Sequence, residues 1–335
     1  MKLRFLQIGL GSMGKRRIRN LHFNGEKDIV GFDIVPERME EAKSKYGIQT
    51  ISNLEELSEK DFDAMIISTS PEAHGDYIRK ALKLKKHFFV EHPTNDDGYE
   101  DIFSAQGGPA SGGKNKYSSV IMAPSCTLRF YTPIKMMKKI LEEGRIGKIL
   151  AFQYHMGQYL PDWHPWEDYR KVYFSQKETG ACREMFPFEL IWLNWLMGSR
   201  VVEVSGTINK ISDLDMEADD IILARLRYEN GVVGNVLIDV ISRKPFRTLR
   251  ILGSDGVLEW EKLESTIKLY DSKSKTSEII SVPKGHAETS YINEEEMYND
   301  EIKTFLDSIY KKVKYPFSFE ENLLNLKTLF KIANS

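Results

Sequence analysis

The sequence predicts an α/β protein. An N-terminal Rossmann domain, a doubly wound parallel sheet, precedes a C-terminal α+β domain with a mainly antiparallel open sheet. Three observations carry this reading. A short apolar strand, Leu3–Ile8, runs straight into Gly9-Leu10-Gly11-Ser12-Met13-Gly14. Strand and helix patterns then alternate through the first third of the chain. From Ile149 onward, strand patterns separated by tight-turn signals dominate. At 335 residues the chain has room for two domains, read as 1–125 and 126–335, with the last helices free to pack back on the first.

The glycine pattern is G-x-G-x-x-G at a strand-to-helix turn, and each glycine has a physical task. Gly9 permits the tight turn, Gly11 lets a pyrophosphate approach the backbone beside Ser12 and Met13, and Gly14 lets the helix pack on its strand. The helix, read as Lys15–Phe23, presents its positive N-terminal end to the phosphates. The next strand, Asp28–Phe32, ends at Asp33, nineteen residues beyond Gly14, the spacing of the dinucleotide fingerprint. Asp33 can accept hydrogen bonds from both ribose hydroxyls, and its charge repels a 2′-phosphate, so NAD is favoured over NADP. Four cations, Lys15, Arg16, Arg17 and Arg38, lie near enough in sequence to serve a 2′-phosphate instead, which keeps NADP open.

The elements that follow read as helix Pro36–Tyr46, strand Gln49–Ile51, a short helix capped by Asn53, strand Ala64–Thr69, helix His74–Lys83 and strand His87–Val90. Gln106–Lys116, rich in glycine, reads as a mobile surface loop. Strand Val120–Ala123 and helix Pro133–Glu143, closed by Gly144, lead into the second half. Strands are expected at 150–154, 201–208, 221–228, 232–238, 248–252, 257–260 and 266–270. Glu229-Asn230-Gly231 and Ser254-Asp255-Gly256 are the hairpin signals. Two helices, near 294–311 and 320–332, close the chain.

Composition excludes several classes. Hydrophobic residues at 41% and charged residues at 29% are those of an ordinary soluble domain, and a formal net charge of −2 offers no long-range attraction to nucleic acid. No segment approaches the roughly 18 apolar residues needed to span a membrane, and the charged N-terminal strand does not read as a signal peptide. The cytoplasm is the expected compartment, with Cys126 and Cys182 as reduced thiols.

Several segments together resemble one family, the glucose–fructose oxidoreductase, inositol dehydrogenase and MocA group. Gly9–Gly14 and Asp33 match its cofactor loop. The run Asp63 to His74, through Ser68, Thr69 and Ser70, is similar to its second cofactor segment. Lys86 to Pro93, through Glu91 and His92, is similar to its G-K-H-V-x-x-E-K-P. Leu128-Arg129-Phe130 resembles its N-x-R-F, and Leu141 to Ile149 matches its linker into the second domain. The resemblance implies a nicotinamide cofactor, a sugar or cyclitol substrate in an interdomain cleft, a cis bond before Pro93 and homo-oligomers formed through the open sheet.

Two departures bear on catalysis. His92 stands where the family carries the lysine that supports proton transfer; imidazole titrates near neutrality and can take that task in altered geometry. In the segment Thr179 to Gly198, the family's usual Asp becomes Glu184, its acid–base His becomes Phe188 and its following Asp becomes Ile191. Phenylalanine transfers no proton. Pro187 suggests that the helix starts there, leaving Glu184, with Arg183 beside it, just ahead of a helix N-terminus. Glu189 lies about 100° round the helix from Phe188.

The stretch Tyr154–Arg170 is dense in aromatic and hydrogen-bonding groups and suits a polyhydroxylated ligand. Tyr159, Asp162, His164 and Arg170 are its candidate substrate residues, joined by Arg129, Arg183 and Glu184. The candidate acid–base groups are His92, Tyr159, His164 and Glu184. No metal site is expected. The expected activity is an NAD(P)-dependent hydride transfer to or from a carbinol carbon of a sugar, cyclitol or nucleotide sugar. Two alternatives stand beside it: a cofactor-binding sensor without turnover, and a reductase of an imine or conjugated double bond.

Overall fold

A computed structural model describes residues 2–107, 117–163, 167–287 and 294–333. It divides into two compact units, 1–127 with 286–322, and 128–285 with 323–335.

In the first unit, six parallel strands stand in the order β3-β2-β1-β4-β5-β6. They are β1 (Phe5–Ile8), β2 (Ile29–Phe32), β3 (Gln49–Thr50), β4 (Ala64–Ile67), β5 (His87–Val90) and β6 (Met122–Pro124). Helices α1 (Ser12–Phe23), α2 (Pro36–Tyr46), α3 (His74–Lys83) and α4 (Tyr99–Ala105) occupy the connections. β1 and β4 are buried at every residue, as continuous apolar strands in the middle of a parallel sheet must be. Strand order reverses between β1 and β4, and ligands of such sheets bind beyond the carboxyl ends of the strands at that reversal. The glycine loop follows β1, Asp33 follows β2, Ser68–Ser70 follow β4 and Glu91–Pro93 follow β5.

The second unit begins with α5 (Thr132–Glu142) and holds eight strands: β7 (Ile149–Tyr159), β8 (Val201–Asn209), β9 (Ile221–Tyr228), β10 (Val233–Asp239), β11 (Ile241–Gly253), β12 (Gly256–Glu261), β13 (Thr266–Asp271) and β14 (Thr276–Ser281). Their order is β14-β13-β12-β11-β7-β10-β9-β8, antiparallel except for β7 beside β10. Period-2 alternation gives the sheet two unlike faces. Phe152, Tyr154 and Met156 of β7 are buried with Ile222, Ala224 and Leu226 of β9. On that face α6 (Ala181–Met197) sets Trp192 edge-on against Tyr154, ring centroids 5.1 Å apart. The opposite face carries Gln153, His155, Leu223 and Arg225 around a shallow concavity of about 900 Å³. The closing helices are α7 (Glu295–Tyr310) and α8 (Phe319–Ala333); α7 packs on α1 within the first unit.

Several boundaries differ from the sequence reading. α1 starts at Ser12, because a glycine at position 14 lets the helix begin while still touching the loop. α6 starts at Ala181 and carries Pro187 in its interior, so Glu184 lies in its first turn rather than ahead of it. Proline there forfeits only the bond to the Arg183 carbonyl, and burial of Phe186, Leu190 and Trp192 outweighs that loss. α4 and β14 are absent from the sequence reading: α4 is a short helix without caps, and β14 is an exposed edge strand with little apolar signal. The peptide bond before Pro93 is trans, the form that even X–Pro bonds prefer. Most of the expected loop 106–116 lies outside the described residues. Cys126 and Cys182 are buried free thiols, and among the described residues no helix is long and apolar enough to cross a membrane.

Candidate active site

The loop after β1 closes as its glycines require. Gly9 has φ +81°, and a side chain there would run into the Ser68 carbonyl. A Cβ at Gly14 would overlap the Gly9 carbonyl oxygen. At Gly11 an added Cβ would only touch the Arg38 guanidinium, 3.8 Å from Nη1, with no overlap of backbone. The start of α1 has no side-chain cap and no acidic residue in its first turn, which suits a phosphate. The residues therefore fit a dinucleotide. Gly14→Ala is expected to weaken NADH binding roughly tenfold or more, through about 1–3 kcal/mol of overpacking; fluorescence titration of NADH measures it.

Asp33 is buried at the end of β2. Its Oδ2 accepts the Leu10 N–H at 2.7 Å and its Oδ1 the Val35 N–H at 2.9 Å. Each oxygen keeps a lone pair for a ribose hydroxyl. All four cations considered for a 2′-phosphate lie within ion-pair distance of a carboxylate. Lys15 pairs with Glu41 at 2.9 Å and Arg16 with Glu295 at 2.9 Å, while Arg17 is fully buried between Glu91 and Glu301. Arg38, the most exposed of the four, lies 3.7 Å from Asp33.

Glu91 is the centre of a buried network. Arg17 donates to it through Nε at 2.6 Å and Nη2 at 2.9 Å, and Ser68 Oγ donates at 3.2 Å. Arg17 Nη2 also lies 2.9 Å from Glu301. Glu301 in turn accepts from Ser125 Oγ (3.1 Å), the Cys126 N–H (2.6 Å) and Thr127 Oγ1 (2.7 Å). Burial alone would lower the Arg17 pKa, but Glu91 and then Glu301 more than offset it and hold the guanidinium charged. Burial pushes the Glu301 carboxyl up against the pull of Arg17. The network fastens the helix behind the phosphate loop to the strand end that carries His92.

His92 is part-buried, and burial, then the neighbouring His74, pushes its pKa well below the ordinary imidazole value. It is neutral at physiological pH. His74 is buried, its Nε2 bonds the Thr69 carbonyl at 3.1 Å, and burial lowers its pKa to about 4. Thr69 Oγ1 donates to the Ser70 carbonyl at 3.3 Å, Ser70 is exposed, and the Pro93 carbonyl accepts from Asn322 Nδ2 at 3.3 Å. For His74 the unfolded chain takes up a proton near pH 6.5 and the folded chain only near 4. The stabilisation is therefore complete above 6.5 and is lost as pH falls between those values, by about 3 kcal/mol. Urea midpoints against pH should show this decline, and His74→Gln should flatten it.

In the second unit, Tyr159 ends β7 beneath the Arg243 guanidinium, 3.8 Å from its ring centroid. Asp162 is exposed at the end of a 3-10 turn. Arg170 forms a bidentate pair with Asp168, both bonds 2.8 Å, and Arg183 donates to Asp219 at 2.7 Å. Glu184 Oε1 accepts from Tyr173 at 2.8 Å. Arg129 is buried and donates to the Ile191 carbonyl at 3.1 Å. His164 lies outside the described residues. Phe188 is half-buried on α6, and Glu189 is fully buried. Glu189 takes Tyr154 Oη and Trp192 Nε1 on one oxygen, both at 2.6 Å, and Arg247 Nη2 on the other at 2.5 Å. Among the described residues no three His, Cys, Asp or Glu side chains gather as a metal site.

Sequence reasoning missed the Arg17–Glu91–Glu301 and Glu189–Arg247 clusters. An acid, Glu189, set within the apolar run Phe186–Leu193 was an available sign of the second. No local sign pointed to the first, whose members are far apart in the chain.

A six-stranded sheet ordered 3-2-1-4-5-6, with this loop and an acid at the end of β2, defines an NAD-binding oxidoreductase domain. Residues 3–105 match the model of the oxidoreductase family with an NAD-binding Rossmann fold, and residues 134–259 match the GFO/IDH/MocA C-terminal domain. The chain belongs to this family. It is 22% identical over 316 residues to myo-inositol 2-dehydrogenase of Thermotoga maritima, covering 90% of this chain and 86% of that protein. It is 26% identical over 243 residues to scyllo-inositol 2-dehydrogenase (NAD(+)) of Bacillus subtilis, covering 70% and 66%. A solved structure of levoglucosan dehydrogenase with NADH shares the fold, with a TM-score of 0.81 at 18% identity over 100% of this chain and 97% of that one.

Proposed function

We propose that the protein oxidises a carbinol carbon of a sugar or cyclitol, or reduces the corresponding ketone, with His92 exchanging the hydroxyl proton. The observation that carries this is the place of His92 at the carboxyl end of β5, next to Glu91, which Arg17 ties to α1. Bound nicotinamide supplies the hydride acceptor or donor. Asp33 holds the adenosine ribose and the α1 terminus the pyrophosphate. Unprotonated, His92 can accept the hydroxyl proton, as a weaker base than an ordinary imidazole. Tyr159, Asp162, Arg170, Arg183 and Glu184 bind hydroxyls; Glu184, Tyr159 and His164 are the further acid–base candidates. We place the protein in the cytoplasm, as a homo-oligomer that covers the open face of the β7–β14 sheet.

The test is the absorbance of reduced nicotinamide with a panel of cyclitols, sugars and nucleotide sugars. Turnover supports the proposal. Phe188 favours a second reading, a sensor on this fold, and NADH binding without turnover across the panel would select it.

A further inference from the structure

We propose that the second unit contains an anion subsite in which Arg243, stacked on Tyr159, holds a carboxylate or phosphate carried by the substrate. The inference rests on the reading that the Tyr159 segment handles the substrate, and it narrows the substrate class to acidic or phosphorylated sugars.

The local geometry is built rather than incidental. Opposite Tyr159 and Gly157 of β7, β11 leaves its register between Ile241 and Phe246, an irregularity of the kind that re-aims side chains. Gly157 is needed for this: a Cβ there would sit 2.5 Å from Ser242 Oγ and 2.7 Å from a ring carbon of Phe246. The irregular segment lifts Arg243 over the Tyr159 ring at 3.8 Å, where the flat guanidinium is held by its face and leaves its N–H edge exposed.

The charge at this edge is uncompensated. Other arginines of the second unit are spent on carboxylates: Arg170 on Asp168, Arg183 on Asp219 and Arg247 on Glu189. Among the described residues Arg243 pairs with no carboxylate, and the exposed Lys244 follows it. The nearest acid in sequence, Asp239, is already occupied. It accepts the Ile241 and Ser242 N–H groups at 3.1 and 2.8 Å and His155 Nε2 at 2.9 Å. An exposed fork of donors that pairs with no carboxylate among the described residues matches the geometry of a carboxylate or phosphate. The ring of Tyr159 meanwhile offers an apolar surface to the sugar.

The experiment titrates the NADH-loaded protein by calorimetry with glucose, glucuronate and glucose 6-phosphate, and with inositol and an inositol monophosphate, in wild type, Arg243→Gln and Arg243→Lys. Oxidation by NAD is followed in parallel. At least one anion should bind roughly tenfold or more tightly than its neutral counterpart. Arg243→Gln should abolish that preference, and Arg243→Lys should restore part of it. A preference for glucuronate identifies a carboxylate, and one for the phosphate esters a phosphoryl group. Equal binding of neutral and charged ligands, or an equal loss for all of them in Arg243→Gln, overturns the subsite. Arg243-dependent anion binding without turnover of any compound supports the subsite and counts against the dehydrogenase reading.

Discussion

Arg17→Met is expected to destabilise the protein by about 3–5 kcal/mol, the usual cost of stripping one partner from a buried ion pair. The variant leaves Glu91 and Glu301 buried without their cation, although Glu301 retains the Ser125, Cys126 and Thr127 donors. Urea unfolding measures the loss. The triple change Arg17→Met, Glu91→Gln, Glu301→Gln should recover part of it, because no charge then remains to be buried. A single variant within 1 kcal/mol of wild type would mean that water or rearrangement replaces the arginine. NADH affinity should fall as well, since the same residue ties α1 to the strand end behind Glu91.

His92→Ala is expected to lower kcat by roughly 10²–10⁴-fold, the span of general acid–base catalysis. The KM for NAD should change little, because the residues proposed for the ribose and pyrophosphate are Asp33 and the α1 terminus, away from position 92. Since burial and His74 hold the imidazole neutral, the acid limb contributed by His92 should fall below the ordinary imidazole range. His92→Lys is the informative companion: a lysine that restores activity but moves the acid limb upward would show that position 92 carries the proton. Unchanged turnover in His92→Ala would remove His92 from the mechanism and leave Glu184, Tyr159 and His164 as the candidates.

Much of the first unit was legible because its signals are local. The β1 strand, the glycine spacing and Asp33 lie within one short βαβ segment, and backbone sterics dictate glycine at positions 9 and 14. The α6 start was not legible. Pro187 reads as a helix boundary, and only burial of the helix against the sheet reverses that preference. The commitments of the cations were equally hidden. Lys15, Arg16, Arg17 and Arg38 look alike in the chain, yet the first three pair closely with Glu41, Glu295 and Glu91, while the exposed Arg38 lies beside Asp33 itself. Arg243 escaped notice because its meaning depends on a register irregularity in β11.

The sequence by itself determined the glycine loop, the acid at the end of β2, the two-part α/β and α+β plan, and the presence of His92 and Phe188 where the family carries lysine and histidine. These follow from residue identity and short spacing. Tertiary structure alone decided which charges are buried and paired, that burial lowers the His92 pKa, that Arg129 serves a helix carbonyl and that Arg243 pairs with no carboxylate among the described residues. Those properties depend on desolvation and on partners distant in the chain, and no local pattern encodes either.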